Sequence, residues 1–277
     1  MLLRQASQRI DGGDTGRLDA ELLLAKVLAC SRTHLYAHPE RLLNPAEQLA
    51  FAALLERRIA GEPVAYLLGT RPFWTFDLLV NRDVLIPRPE TELLVELAMA
   101  LPDLPPRALV ADLGTGSGAI ALALASENAD WHLVASDRSA KALQVARHNA
   151  GKLGLDNISF VQADWCQPWA GQAFDMLVSN PPYVETGDPH LQQGDLRFEP
   201  MSALVAPVAG LADLTTLCRQ AGACLKPGAW LLLEHGFGQG ADVRGLLQEN
   251  GYGEVATHRD LGGNERVTLG QWSLPGQ

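Results

Sequence analysis

The stretch Asn180-Pro181-Pro182-Tyr183 follows an apolar run, FDMLVS, and sets a carboxamide, two pyrrolidine rings and a phenol where a strand or helix would ordinarily continue. Proline fixes φ, carries no N–H and pushes the residue before it out of the α region. Asn180 and Pro181 both precede a proline, so both are expected to be extended and rigid, with oxygens that no neighbouring backbone donor claims. Two fixed acceptors beside a ring suit one kind of chemistry, the alkylation of a planar NH2 group. Such a nitrogen is a poor nucleophile because its lone pair is delocalised. If the Asn180 side-chain oxygen and the Pro181 carbonyl each accept one N–H, the nitrogen is aimed and its developing positive charge is stabilised. Tyr183 can then stack on the flat group. Asn180, Pro181 and Tyr183 are thus the candidate catalytic residues, and Asn180, Pro181, Pro182 and Tyr183 the candidate substrate site. Alone, the stretch could also be a rigid turn closing a strand.

A second cluster is DLGTGSGA, Asp112 to Ala119. Gly114, Gly116 and Gly118 let the backbone turn tightly and approach a ligand closely. Gly114, Gly116 and Ala119 also satisfy the G-x-G-x-x-A dinucleotide fingerprint, with Asp137 near the place of its ribose-binding acid, so an NAD-dependent oxidoreductase is a competing reading. Other features favour S-adenosylmethionine. Asp112, directly before the loop, would be unwelcome beside a pyrophosphate but useful near a sulfonium and an ammonium group. The next run ends in Ala-Asp164-Trp165, an acceptor for an exocyclic amine and a ring to cover an adenine face. The plainer readings are that Asp112 caps the glycine turn, Asp137 caps the helix starting at Ser139, and Trp165 is an ordinary, partly buried aromatic.

These groups fall at the ends of successive apolar runs: RALVADLG, WHLVASD, ISFVQAD and FDMLVSN, followed by AWLLLEHG. Helical segments separate most of them, which predicts a doubly wound, mostly parallel sheet covered by helices on both faces. In such a sheet the first and fourth strands are neighbours where the order reverses, and ligands bind in the crevice beyond their carboxyl ends. That arrangement sets NPPY against the glycine loop. YGEVATHRD and NERVTLGQW lie too close together for a crossover helix and are expected as an antiparallel pair at the sheet's end. Upstream, RLDAELLLAKVLACSR and PAEQLAFAALLERRIAG have helical spacing, the second with Asn44 as N-cap and Pro45 at its first position. Two β-type runs flank Asn81-Arg82-Asp83 and suggest a hairpin. The domains read as 1–72 helical, 73–88 hairpin linker and 89–277 α/β.

Forty-seven per cent hydrophobic residues in 277 is ample for packed cores, and no apolar run approaches the ~18 residues of a membrane span. The four cysteines, Cys30, Cys166, Cys218 and Cys224, form no CxxC pair or dense framework, which points to a reducing compartment and no cysteine metal site. A soluble, cytoplasmic, metal-free monomer is expected. The net charge of −10 argues against a nucleic-acid partner, since such proteins neutralise phosphates with Lys and Arg.

Over nearly its whole length the sequence resembles the peptide chain release factor glutamine methyltransferases (PrmC/HemK). The resemblance rests on RIAGEPVAYLLGTRPFW, LIPRPETE, DLGTGSGAIALALA, SNPPYV, DPHLQQGDLRFEP, LLLEHG and NERVTLG. It implies the class I S-adenosylmethionine-dependent methyltransferase fold. It also implies N5-methylation of the glutamine in the Gly-Gly-Gln motif of bacterial class I release factors, with S-adenosyl-L-homocysteine as product. By the same resemblance, Gly114, Thr115, Gly116, Ser117, Gly118, Asp137, Trp165 and Asn180 contact the cofactor, and Asn180 to Tyr183 hold the glutamine. Adenine-N6 methyltransferases share the tetrapeptide and remain an alternative, opposed by the acidic charge. LIPRPETE is either part of a substrate groove or a helix start whose Glu90 and Glu92 suit the first-turn dipole. Glu265 and Arg266 read as an edge-strand ion pair.

Overall fold

The computed structural model describes residues 2–10, 15–102, 104–169, 171 and 173–273. The chain forms two compact units, residues 1–71 with 189–198 and residues 72–188 with 199–277.

The first unit holds α1 (Leu2–Arg9), α2 (Gly16–Val27), α3 (Arg32–Ala37), α4 (Pro45–Ile59) and α5 (Val64–Leu68). Its core is Ala20, Leu23, Phe51, Leu55 and Leu67. The start of α4 is a full capping box: Asn44 Oδ1 accepts from Glu47 N, Glu47 Oε2 accepts from Asn44 N, both at 2.9 Å, and Pro45 takes the first helical position. The return segment 189–198 is tied in by Arg58 donating to Asp195 at 3.1 Å and Arg197 donating to the Ala60 carbonyl at 2.7 Å. Boundaries drawn at 72 and 88 contain no such segment, because two short 3-10 turns carry no periodic signal.

The hairpin lies earlier than the sequence suggested. Its strands are β1 (Thr70–Phe73) and β2 (Phe76–Leu79), turning at Trp74, whose φ is +55°. Asn81-Arg82-Asp83 does turn, with Asn81 Oδ1 accepting from Asp83 N at 2.9 Å, but no strand follows. Val84 and Ile86 alternate because both are buried, and Ile86 N donates at 2.9 Å to the side chain of Glu199 instead of a strand partner.

After a 3-10 turn, Pro89–Thr91, come α6 (Glu92–Ala100), β3 (Leu109–Leu113), α7 (Ala119–Glu127), β4 (His132–Asp137), α8 (Ala140–Leu153), β5 (Ile158–Gln162) and β6 (Phe174–Ser179). The remainder is β7 (Val184–Glu185), α9 (Met201–Leu204), β8 (Val205–Ala206), α10 (Ala212–Ala221), β9 (Leu225–Glu234), α11 (Gly240–Glu249), β10 (Tyr252–Arg259) and β11 (Glu265–Trp272). The main sheet runs β10-β11-β9-β6-β3-β4-β5, parallel from β9 to β5, with β11 antiparallel to both β9 and β10. Alternate residues of β3, β6 and β9 enter different cores: Val110, Met176 and Leu232 join α6 and α7, while Ala111, Leu177 and Leu231 join α10 and α11. Glu265 and Arg266 do sit in ion pairs, though with separate partners: Arg244 and Arg259 for Glu265, Asp260 for Arg266.

Candidate active site

The strand order reverses between β3 and β6, which pair in parallel with Asp112 opposite Val178. Their carboxyl ends are joined by a buried bond, Ser179 Oγ donating to the Leu113 carbonyl at 2.6 Å. Residues 114–118 therefore emerge beside residues 180–183. On the other side, Gly114 N and Thr115 N donate to Ser136 O of β4 at 2.9 and 2.8 Å, fixing the loop over the second strand end. The glycines at 114, 116 and 118 have φ of +77°, +56° and +88°, values an L side chain strains to adopt.

The cleft enclosed here holds about 960 Å³, its open mouth included. Gly114, Thr115, Gly116, Ser117, Asp137, Asp164, Trp165, Asn180 and Pro182 line it. A Cβ at Gly116 would meet nothing within 4 Å, so bare backbone faces the space, and one at Gly114 would lie 3.2 Å from the Trp165 ring. Asp137 faces the cleft and accepts from Gly116 N at 3.0 Å and from Ser139 N at 2.8 Å, so it braces the residue that caps α8 and is not itself the cap. Burial raises its pKa against those two bonds. Ser139 Oγ in turn accepts from Ala142 N. Asp164 is exposed on the rim.

Four expected site residues stand behind the lining. Asp112 is fully buried and does not reach the cleft. Its Oδ2 accepts from Thr115 Oγ1 at 2.6 Å and from Ala121 N, in the first turn of α7, at 3.1 Å. The first-turn amide and the helix dipole draw the carboxyl inward, and the expected meeting with a cationic ligand is replaced by support of the loop. Burial pushes its pKa up to about 7. Gly118 faces Leu122 and Ala146, where its missing Cβ allows α7 to pack. Pro181 is buried, and Tyr183 is half-buried against the α10 and α11 core.

The tetrapeptide is held from several sides. Asn180 Nδ2 donates to Thr91 Oγ1 at 3.2 Å, which turns the donor end of the carboxamide to the protein. Among the described residues nothing donates to Asn180 Oδ1 or to the Pro181 carbonyl. Tyr183 Oη donates to Glu234 Oε1 at 3.3 Å, and the Tyr183 carbonyl accepts from Gln239 Nε2 at 3.1 Å. Burial beside Glu234 raises the phenol pKa.

A family model described as the PrmC N-terminal domain matches residues 1–69, and one described as the methyltransferase small domain matches 90–195. The release factor glutamine methyltransferase of Salmonella typhimurium is 49% identical over 272 residues, covering 98% of each chain. That of Escherichia coli is 49% identical over 271 residues, covering 98% of this chain and 97% of the other. The chain belongs to the release factor glutamine methyltransferase family. Among solved structures, a Pyrococcus furiosus methyltransferase matches with TM-score 0.55 at 15% identity, over 80% of this chain and 100% of that one. The ribosomal protein L11 methylase of Lactobacillus delbrueckii subsp. bulgaricus matches with TM-score 0.51 at 19% identity, over 70% and 84%. At such identities the likeness is one of fold, and it agrees with the family in being that of class I S-adenosylmethionine-dependent methyltransferases.

For this family member, the fold decides between readings that the sequence left open for LIPRPETE and adds residues that it did not single out. Thr91 and Arg88 of LIPRPETE line the cleft, so that segment is more than a helix start. Arg88 pairs with the buried Glu199. Glu92 accepts from Trp74 N at 2.9 Å. Glu234 was visible only as the last charge in an apolar run. Among the described residues no helix is long and apolar enough to cross a membrane.

Proposed function

We propose that this chain methylates the side-chain amide nitrogen of the glutamine in the Gly-Gly-Gln motif of class I release factors, and that the cleft between the β3 loop and NPPY is where it does so. The carrying observation is Asn180: its donor end rests on Thr91, its oxygen is open, and it stands at the switch point beside the glycine loop. The cleft residues fit S-adenosylmethionine: bare glycine backbone for close approach, Asp137 for ribose hydroxyls, Trp165 for an adenine face and Asp164 on the rim for its amine. Bound there, S-adenosylmethionine supplies an electrophilic methyl on sulfur.

The protein's own contribution is orientation. Asn180 Oδ1 and the Pro181 carbonyl accept the two N–H groups of the glutamine carboxamide, and Pro182 keeps the Pro181 carbonyl in its extended setting. The two oxygens aim the nitrogen and stabilise positive charge as it develops there, without reorganising. Tyr183, anchored at both its hydroxyl and its carbonyl, offers a ring to the carboxamide plane. No strong base is needed during attack, because the N–H becomes acidic only as the nitrogen is alkylated. Asp112 acts at second hand, by holding Thr115 and the first turn of α7.

The names of the relatives and the net charge of −10 both favour a protein substrate over adenine in nucleic acid. Mass spectrometry of a class I release factor after incubation with enzyme and S-adenosylmethionine tests the reading. One glutamine should gain a single methyl. Label from the cofactor entering DNA or RNA, with the release factor unmodified, would reverse it.

A further inference from the structure

Glu234 ends β9 with 1% of its surface exposed, deep beneath the tetrapeptide. One oxygen accepts from the Tyr183 hydroxyl at 3.3 Å. No hydrogen bond of ordinary geometry reaches the other, Oε2, among the described residues, although the Thr91 hydroxyl lies near enough to lower the pKa of the carboxyl. Thr91 is itself buried, and its oxygen already accepts from Asn180 Nδ2. A hydroxyl whose oxygen is accepting has one proton left to give, and a buried unpaired carboxylate oxygen is costly until it receives one.

We infer that Glu234 is the positioning residue of this site, holding Tyr183 directly and Asn180 through Thr91, so that both ends of the tetrapeptide are set by one buried carboxylate. The inference rests on the reading that Asn180 and Tyr183 hold the carboxamide. Three polypeptide segments distant in sequence converge here: the Pro89–Thr91 turn, the loop after β6 and the end of β9. An apolar strand end would pack there without difficulty, so the carboxylate is explained by what it orients.

The charged and titratable groups facing Glu234 are Tyr183 from the loop after β6, Arg266 from β11 and Glu90 from the 3-10 turn. Burial outweighs Arg266 and the hydroxyls and lifts the carboxyl to about 7. Ionised, it accepts from the Tyr183 hydroxyl and offers its second oxygen to the Thr91 hydroxyl, whose own oxygen holds Asn180. Protonated, it turns one of those two acceptors into a donor, and the hydroxyl on that side loses the group that orients it. The turnover number should therefore rise with pH through about 7.

The test uses full-length enzyme, release factor and labelled S-adenosylmethionine, with kcat followed on either side of that pH and cofactor affinity measured by calorimetry. Thr91→Val, which keeps the shape and removes the hydroxyl, should lower kcat about tenfold with cofactor affinity unchanged, and Thr91→Ser should restore most of it. Glu234→Gln, which cannot ionise, should lose the inflection. Wild-type kcat in Thr91→Val, or an inflection that persists in Glu234→Gln, overturns the inference. A wild-type enzyme that leaves release factor unmodified overturns the proposed function and the inference together, and is told apart because every variant is then equally inactive.

Discussion

The two strand ends that meet at the switch point treat their polar groups in opposite ways. Beyond β3, the loop backbone is tied into the protein, the amides of 114 and 115 by Ser136 and that of 116 by Asp137, and Asp112 Oδ2 accepts from Thr115 and Ala121 while its Oδ1 has no partner among the described residues. Beyond β6, the protein holds the frame of the tetrapeptide and, among the described residues, leaves Asn180 Oδ1 and the Pro181 carbonyl without a donor. The first arrangement makes a rigid surface that can bind by shape and backbone. The second makes a pair of acceptors whose partner must come from outside. Affinity and turnover should therefore fail separately when each is damaged.

Asn180→Ala is the sharpest cut. Removing one preorganised acceptor of this kind costs about 10²- to 10³-fold in kcat. Calorimetric affinity for S-adenosylmethionine should stay within a few-fold, and near-normal turnover would end the acceptor role. Gly114→Ala is the counterpart beyond β3. A side chain at φ +77° costs about 1–2 kcal/mol, and the new Cβ would press on the Trp165 ring at 3.2 Å. Cofactor affinity should fall about tenfold, while kcat at saturating cofactor changes little. A variant with normal affinity and impaired kcat would erase the distinction between the two strand ends.

The same contrast explains what the sequence could and could not disclose. Groups that act by lying just past an apolar run were readable, because strand ends at a switch point face the crevice whatever the rest of the chain does: Gly114 to Ser117, Asp137, Trp165 and Asn180 all line it. Asp112 has the same local signature but turns inward, because the first-turn amide of α7 competes for its carboxylate. Nothing local distinguishes the two outcomes. Thr91, Glu199 and Glu234 were harder still, since each acts across a large gap in sequence on another segment. A single polar residue in an apolar run carries no spacing to read. The hairpin was misplaced for a related reason: burial of Val84 and Ile86 in a loop imitates the alternation of a strand.

A smaller effect concerns stability. Burial lifts Asp112 from an ordinary 3.8 to about 7, and Glu234 from 4.5 to about 7. The folded protein thus keeps protons that the unfolded chain has released. The stability this provides is complete below about pH 4 and is lost as pH rises through about 7. Asp112→Asn keeps an acceptor for Thr115 and cannot ionise, so its melting temperature should fall less steeply with pH across that window than the wild type's. Each group accounts for on the order of a few kcal/mol of the slope. An unchanged slope in the variant would mean that Asp112 is charged when buried, and that the donors around it offset burial more fully than the two bonds to Oδ2 indicate.

Tyr183→Phe should be the mildest of the four. The ring, its contacts with the core and the carbonyl bonded to Gln239 all remain, and the only loss is a hydroxyl that meets Glu234 at 3.3 Å. A bond of that length contributes at most about 1 kcal/mol net, roughly a fivefold change in rate if all of it is felt in the transition state. The variant should therefore show a kcat reduced by less than about fivefold and cofactor binding like the wild type's. A loss as large as that of Asn180→Ala would shift the weight of the β6 end from the two oxygens to the phenol. It would also make Glu234 a direct support of the reacting group through Tyr183, with the path through Thr91 secondary.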